Sequence, residues 1–545
     1  MTNKNITPNV FMLSGLGWWN VYFIIKIALY LKGSIDFHPV ENFAFLALLL
    51  FPLASKRLAI ARTLIAVPIG LWLMHFDSYL PPLNRLWSQM GQLMQFETSY
   101  LIELLGRFVS PSALLAIFTL CIGYFILSKY LRISVLVVGL LVYISLPEPA
   151  TVIAPQPGAA VANTANVTSV SETVPKAREV TVINDDVLNN LKNDFFTNEL
   201  KRSVSFNPTA KDDVPFDLLF LSICSVAWDD IEISGLSDHP IFKEFDIMFD
   251  RFNAATSYSG PALVRLLRAN CGQETHGELF DAPASNKCYL FENLAKLGFK
   301  ENLLMNHDGV FDNFLELLQQ KGKLNAALMP LDGFKPYEKA FDGDDIYRDK
   351  DVLDHWWQQR IRNDNNQVVA LYNTISLHDG NRVIGGESPT NLISYKRRLK
   401  NLLDDLYGFF QELKASKRNI VVMLVPEHGA GMRGDRMQIP GMREIPAASI
   451  VHTHVGLKVF GDNMKRVGDT VHITDPSSYL AVSQLVSNIL DSNIYKTNTF
   501  DPKVLTTNLP KTKMVAQNSG TTVMEVKDKH YISLDGSTWS EYPTD

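Results

Sequence analysis

The sequence predicts a chain in two unlike parts. An amino-terminal α-helical bundle of about five membrane spans is followed by an α/β sandwich around a central, mainly parallel sheet. Three observations carry this prediction. Mean hydropathy is +0.02 although 20% of the 545 residues are charged, so an apolar excess is concentrated somewhere, and it lies in residues 1–147. A Pro- and Ala-rich stretch with little charge comes next. Beyond it, short apolar runs alternate with helical stretches, as strands and helices do around a parallel sheet. The length admits several domains, and a formal net charge of -6 gives no sign of a nucleic-acid partner.

Five segments read as spans: residues 13–31, 43–53 with its flanks, 58–74, 112–128 and 133–146. The second is short and closely followed by the third. Each has to run as a helix, because unpaired backbone groups are too costly in lipid. The opening MTNKNITPNVFMLSGLGWWN runs into a spanning stretch without a short apolar core and cleavage site, so the first span itself serves for targeting. Lys26, inside it, either snorkels to an interface or faces the bundle interior. Lys56, Arg57 and Arg62 cluster between the second and third spans, and Lys129 and Arg132 between the fourth and fifth. The positive-inside rule puts both basic loops in the cytoplasm, and five crossings send everything after residue 146 to the other side. The segment 77–107 is apolar in places (TSYLIELLGR). It is read as a helix on the outer membrane surface or as packing against the bundle.

The expected domains are 1–147 in the membrane, 148–184 as linker and entry segment, 185–512 as the catalytic α/β unit and 513–545 as a peripheral tail. Residues 147–177 (PEPATVIAPQPGAAVANTANVTSVSETVPKA) have the composition of an extended linker, and residues 185–203 look like an amphipathic helix. Residues 216–223 (FDLLFLSI) and 420–426 (IVVMLVP) are mostly apolar, as strands buried on both faces are. Further strands are expected at 326–329, 368–377 and 456–460, and helices at 261–267, 286–297, 311–320, 350–360 and 391–413. The polar tail forms a hairpin or stays loose, and no function attaches to it.

In such folds ligands bind beyond the carboxyl ends of strands, and two strand ends carry unusual residues. The first runs into Cys224, the second into Glu427-His428 followed by glycine. Thiolate, carboxylate and imidazole are all zinc ligands, and three of them leave room for a further oxygen. Taken singly, such a cysteine is more often buried packing and a Glu-His pair a surface feature; it is their joint position that points to a metal. Between them, Ser259 precedes Gly260-Pro261, where a helix can open. Its hydroxyl either caps that helix or, near backbone N–H groups suited to phosphate, serves as a metal-activated nucleophile. The two roles are compatible.

The order Cys224, Ser259, His378 and Glu427-His428, behind a multi-span part and a linker, resembles the membrane-anchored phosphoethanolamine transferases of the alkaline phosphatase and sulfatase superfamily, in particular the branch that modifies cellulose. The resemblance covers nearly the whole chain and implies an alkaline-phosphatase-like sandwich. It implies Cys224, Glu427 and His428 as metal ligands, with cysteine and glutamate where most relatives have aspartate or another acid. Ser259 takes the place of a nucleophile that is often threonine, and His378 matches a histidine that holds the substrate phosphate. Relatives carry another histidine about a dozen residues after the metal pair; here Pro440 stands there, with Arg443 close behind, able to bind phosphate in its place. Tyr258 is a further hydrogen-bond donor candidate.

A sulfatase reading fails locally, because Ser259-Gly260-Pro261-Ala262-Leu263 lacks the arginine of that motif. Without the additional Asp and His ligands of a two-zinc phosphatase, one zinc ion is expected. His239, His276, His307 and His355 have no ligand spacing around them, whereas His452 and His454 would share a strand face, where either approaches a second metal or substrate, or is exposed to solvent or hydrogen-bonded in the core. Cys121 lies in the fourth span. Cys271 and Cys288 face an oxidising compartment and are expected to bridge, the alternative being two free buried thiols. Trp228, Trp356, Trp357 and Trp539 are candidates for a carbohydrate platform.

What the resemblance implies is an inner-membrane enzyme with its catalytic domain in the periplasm. It would move phosphoethanolamine from phosphatidylethanolamine to glucose C6 hydroxyls of nascent cellulose, beside the cellulose synthase and secretion complex. The competing readings are transfer of phosphoethanolamine or phosphoglycerol to another envelope glycan or lipid A, hydrolysis of the head group, and a non-catalytic secretion scaffold.

Overall fold

A computed structural model describes residues 15–53, 55–79, 90–108, 111–146, 183–208, 213–362, 367–386 and 392–543. The linker expected at 147–177 lies outside the described residues. By its contacts the chain divides into two units, Met1–Leu80 with Val109–Asn184, and Pro81–Phe108 with Asp185–Asp545.

Helices α1 (Trp19–Leu31), α2 (Pro39–Leu50), α3 (Lys56–Phe76), α4 (Thr98–Phe108), α5 (Pro111–Leu127) and α6 (Ile133–Ile144) open the chain. All but α4 belong to the first unit, and those five fall on the five apolar segments. Within α3, the 20 residues Arg57–Phe76 are long and apolar enough to cross a bilayer. The other apolar helices of this unit run to 13, 12, 17 and 12 residues, short of the ~20 that a bilayer core needs. Length and composition therefore support one spanning helix among the described residues of this unit, where five were expected. Phe23, Ile27, Phe45, Leu49 and Leu141 form its core, while Leu58, Ile60, Leu64 and Leu71 of α3 face outward.

Lys26 does not snorkel. It is fully buried, with Nζ 2.7 Å from Asp77 Oδ2 and donating to Asn42 Oδ1 at 2.7 Å. Asn42 Nδ2 donates to the same carboxylate at 2.8 Å, and His38 Nδ1 lies 2.8 Å from its other oxygen. A buried charge that loses its partner costs about 3–5 kcal/mol. Asp77→Ala should therefore lower the thermal midpoint of the detergent-solubilised chain, and Lys26→Met added to Asp77→Leu should recover most of the loss. An unchanged midpoint in Asp77→Ala would remove the pair from the account of stability.

In the second unit, seven strands form one sheet: β1 (Asp217–Ile223), β2 (Ile247–Asn253), β3 (Lys300–Met305), β4 (Val368–Thr374), β5 (Ile420–Leu424), β6 (His452–Phe460) and β7 (Val471–Ile473). Their spatial order is β7-β2-β6-β5-β1-β4-β3. β1 pairs in parallel with β4 and β5, β3 with β4 and β7 with β2. Only β6 runs against its neighbours. Apolar clusters cover both faces, which is why β1, β4 and β5 are buried at every position and read as continuous apolar runs. Asp217, which opens β1, is buried because Arg360, Arg418 and the Val368 N–H all donate to its carboxylate, at 2.9, 3.0 and 2.9 Å.

Two expectations need correction here. Residues 326–329 form no strand; Leu328 makes a single bridge to Leu303. The tail is a four-stranded antiparallel sheet, β8 (Val515–Asn518), β9 (Thr521–Val526), β10 (Lys529–Ser533) and β11 (Ser540–Glu541). It packs Ala516, Val523 and Ile532 on Ile445, Ala447 and Val451, so its few apolar residues are spent on one shared core. Cys271 and Cys288 are disulfide-bonded.

Candidate active site

The carboxyl ends of three adjacent parallel strands converge. Past β1, the Cys224 N–H donates to Thr374 O of β4 at 3.0 Å; past β5, the Glu427 N–H donates to Ile223 O at 2.9 Å. The Val226 N–H then donates to His428 O at 2.7 Å, so the two ligand-bearing turns are stitched together. A Cβ on Gly429 would lie 2.7 Å from Ala227 Cβ, which reserves that position for glycine. Buried Asp230 accepts from the N–H groups of Ala227, Ala430 and Met432 at 3.0, 2.7 and 3.1 Å, holding the same turns. Ser225, next to Cys224, sits in the left-handed region at φ 66°, a backbone cost of the kind that clusters at functional sites.

The fourth participant comes from β2. Its chain turns through Thr256-Ser257-Tyr258 into α7 (Ser259–Leu267). Tyr258 is the N-cap residue and makes no side-chain cap bond. Ser259 is therefore not a capping residue: its Oγ lies 3.3 Å from Cys224 Sγ and 3.3 Å from His428 Nε2. Cys224 Sγ and His428 Nε2 are 3.8 Å apart, and Glu427 Oε2 is 3.9 Å from His428 Nε2.

Cys224, Glu427 and His428 are all buried, and one ligand atom from each lies within 4.8 Å of the others. A tetrahedral ion with bonds of about 2.0–2.3 Å sets its ligands about 3.3–3.8 Å apart, close to these separations. Glu427 Oε1 accepts from Asn373, and Oε2 is buried on the side of His428, so the carboxylate turns one oxygen toward the cluster. Burial and the Glu427 charge push the Cys224 thiol up to about 11; burial also raises Glu427 and, with Arg443 beside it, holds His428 well below the usual range. Three donors that are each driven toward their neutral forms without a cation fit a soft divalent ion such as zinc.

Arg443 reaches into the same space. Its Nη1 lies 3.3 and 3.4 Å from the two His428 ring nitrogens and donates to Ser225 Oγ at 3.0 Å, while Nη2 is 3.4 Å from His378 Nε2. His378 Nδ1 is 2.8 Å from Asp379 O, which leaves Nε2 facing the guanidinium. Burial and Arg443 hold His378 down to about 3, a neutral ring at physiological pH. Tyr258 turns elsewhere: its Oη donates to Glu444 Oε1 at 2.6 Å.

Several residues escaped the sequence reading. His307 is buried, with Nε2 3.0 Å from Asn373 Oδ1, so it supports the Glu427 ligand through Asn373. The signal for Asn373 is a polar residue in the otherwise apolar run VVALYNT. Asn518 of the tail donates to Ser257 Oγ at 2.7 Å and to Glu444 O at 2.9 Å, tying the turn before Ser259 to the Arg443 segment. By contrast, His454 packs against the rings of Trp228 and Phe242 and belongs to no metal-type cluster among the described residues. Trp356, Trp357 and Trp539 are buried, which removes them as a carbohydrate platform.

Comparison with known proteins divides the chain differently, at one point along the sequence, and leaves residues 81–108 with the amino-terminal part. Residues 172–539 match the family "Cellulose biosynthesis protein BcsG C-terminal domain" and residues 19–146 match "Cellulose biosynthesis protein BcsG N-terminal domain". The chain is 40% identical over 546 residues to the cellulose biosynthesis protein BcsG of Escherichia coli. To that of Salmonella typhimurium it is 39% identical over 545 residues. Both alignments cover 97% of this chain and 96% of the relative. Among solved structures, a protein in the alkaline phosphatase superfamily from Vibrio parahaemolyticus is similar at 12% identity and a TM-score of 0.43, covering 66% of this chain and 91% of that one.

Proposed function

The chain belongs to the BcsG family of cellulose biosynthesis proteins, and from that premise we propose that it transfers phosphoethanolamine from phosphatidylethanolamine to C6 hydroxyls of nascent cellulose through a serine-bound intermediate. The observation that carries the chemistry is Ser259 Oγ at 3.3 Å from both Cys224 Sγ and His428 Nε2. A hydroxyl set against metal-ligand groups at the start of a helix is placed for attack on phosphorus. The cellulose acceptor rests on the family, and the lipid donor on the resemblance to phosphoethanolamine transferases. A membrane anchor, with the α/β unit in the periplasm beside the cellulose synthase and secretion complex, completes the proposal.

In the first half-reaction Ser259 Oγ bonds to phosphorus, and the bond from phosphorus to the diacylglycerol oxygen breaks. The serine proton leaves and diacylglycerol departs protonated. Cys224, Glu427 and His428 would hold one zinc ion, which supplies Lewis-acid activation of the serine oxygen when bound. Arg443 offers two N–H groups to the phosphoryl oxygens, and neutral His378, whose Nδ1–H is held by Asp379 O, can accept a hydrogen bond at Nε2 from the arriving hydroxyl. The N–H groups at the start of the Ser259 helix add favourable partial charge. In the second half-reaction a cellulose hydroxyl forms the new bond to phosphorus, the Ser259 bond breaks, and the proton returns to serine.

The test is to supply phosphatidylethanolamine labelled in ethanolamine, together with cello-oligosaccharides, lipid A and a second envelope glycan in competition, to the full chain in lipid vesicles. Label bound to glucose C6 is expected. Label in lipid A or another glycan would overturn the acceptor, and free phosphoethanolamine alone would make the protein a phosphodiesterase.

A further inference from the structure

Helix α4 lies in the chain between α3 and α5, yet it belongs to the α/β unit. Neither expectation for residues 77–107, a membrane-surface helix or packing on the bundle, included this docking, and Asp77 at the start of that segment does pack in the bundle. The docking of α4 is specific. Arg107 donates through Nη1 to Asp379 Oδ2 at 2.7 Å and through Nη2 to Oδ1 at 2.9 Å. Tyr100 Oη donates to the same carboxylate at 2.8 Å.

Two loops of the α/β unit make room for the helix. A Cβ on Gly380 would lie 2.7 Å from the Tyr100 ring, and one on Gly441 would lie 3.0 Å from Arg107 Nη1. Both glycines have positive φ. The Tyr100 ring also packs with Phe341, whose own ring stands 4.4 Å from that of His378. Two separate routes, one polar and one aromatic, thus run from α4 to His378. The polar route ends at Asp379, whose main-chain oxygen lies 2.8 Å from His378 Nδ1. Holding Asp379 therefore holds the tautomer that presents Nε2 to Arg443.

We propose that Arg107 and Tyr100 are positioning residues: they fix Asp379, and through it His378, so that the site of the α/β unit is completed by a segment from between the membrane-directed helices. This inference rests on the transfer reading above and deepens it. A bidentate guanidinium–carboxylate pair is a strong, geometrically specific contact. A lysine ammonium in place of the guanidinium lacks the planar fork that makes it, and a phenylalanine in place of the tyrosine has no hydroxyl to donate.

The experiment uses the full chain in lipid vesicles, with Arg107→Ala, Arg107→Lys, Tyr100→Phe, Asp379→Ala and the pair Arg107→Ala/Asp379→Ala. Arg107→Ala should lower kcat about 10–100-fold, the scale of a misplaced catalytic group, with KM for phosphatidylethanolamine and metal content little changed. Arg107→Lys should recover part of the loss. The double variant should be no worse than Asp379→Ala alone, because one linkage is broken twice. Full kcat in Arg107→Ala, a rise in KM alone, or additive losses would each overturn the proposal. Amide exchange of the 375–382 segment gives a readout that needs no activity. Faster exchange in Arg107→Ala is expected, and unchanged exchange would overturn the hold on Asp379 even if transfer itself were absent. Faster exchange in a chain whose unsubstituted form transfers nothing would keep the hold and reject the transferase reading.

Discussion

Ser259→Ala is expected to abolish head-group transfer while leaving a folded chain. A single nucleophile acting as one unit with its activating groups costs about 10^4–10^6 in rate when removed. The hydroxyl carries little of the fold. Tyr258, not Ser259, occupies the N-cap, and the Ser259 bonds run to Cys224 and His428 inside the site. Losing one such hydrogen bond costs about 1 kcal/mol, well inside the margin of a domain this size. The measurement is transfer rate beside circular dichroism and metal content, and trapping of a labelled phosphoethanolamine adduct on the peptide that contains residue 259. An adduct elsewhere, or transfer by Ser259→Ala within tenfold of the parent, would end the serine mechanism.

Cys224→Ala should remove the bound metal and, with it, activity. Zinc held by four groups is worth about 10–16 kcal/mol in apparent binding, so one ligand accounts for about 3 kcal/mol, roughly a hundredfold in affinity. Chelation of the parent chain should give the same inactive state, and zinc should restore the parent but not the variant at equal concentration. The thiol also sets a pH signature. Without a cation it sits near 11, so binding at neutral pH has to displace its proton, and affinity should rise with pH. Calorimetry in buffers of different ionisation enthalpy reads that proton directly. Full metal occupancy in Cys224→Ala, or affinity independent of pH between 6 and 8, would take Cys224 out of the ligand set.

How far the sequence could be read depended on where each residue finds its partners. Cys224 and Glu427-His428 were legible because each ends an apolar run, and a buried strand delivers the residues after it to one edge of the sheet. β2 was not, because Asp250 and Arg251 interrupt its apolar pattern where its side chains are partly exposed. β3 was hidden in the same way by a polar start. Asn373 lay within a strand that was recognised, but its role depends on a register, Ser222 opposite Asn373, that no local pattern states. Asn518 and Arg107 were the least accessible. One sits in a polar tail and the other beside an apolar segment, and both act on residues far away in the chain. Periodicity reports whether a side chain is buried, not what it meets.

The bond between Arg107 and Asp379 joins residues 272 positions apart. At about 5–20 residues per second, a ribosome needs roughly 10–60 s to travel that distance. Arg107 therefore emerges long before its acceptor exists, and every chain passes through an interval in which α4 has no carboxylate to hold. Closing so long a loop is among the later and costlier steps of folding. Timing thus sets an order of assembly: Asp379 leaves the ribosome before Glu427 and His428, so the clasp can close before the last of the candidate metal ligands has been made.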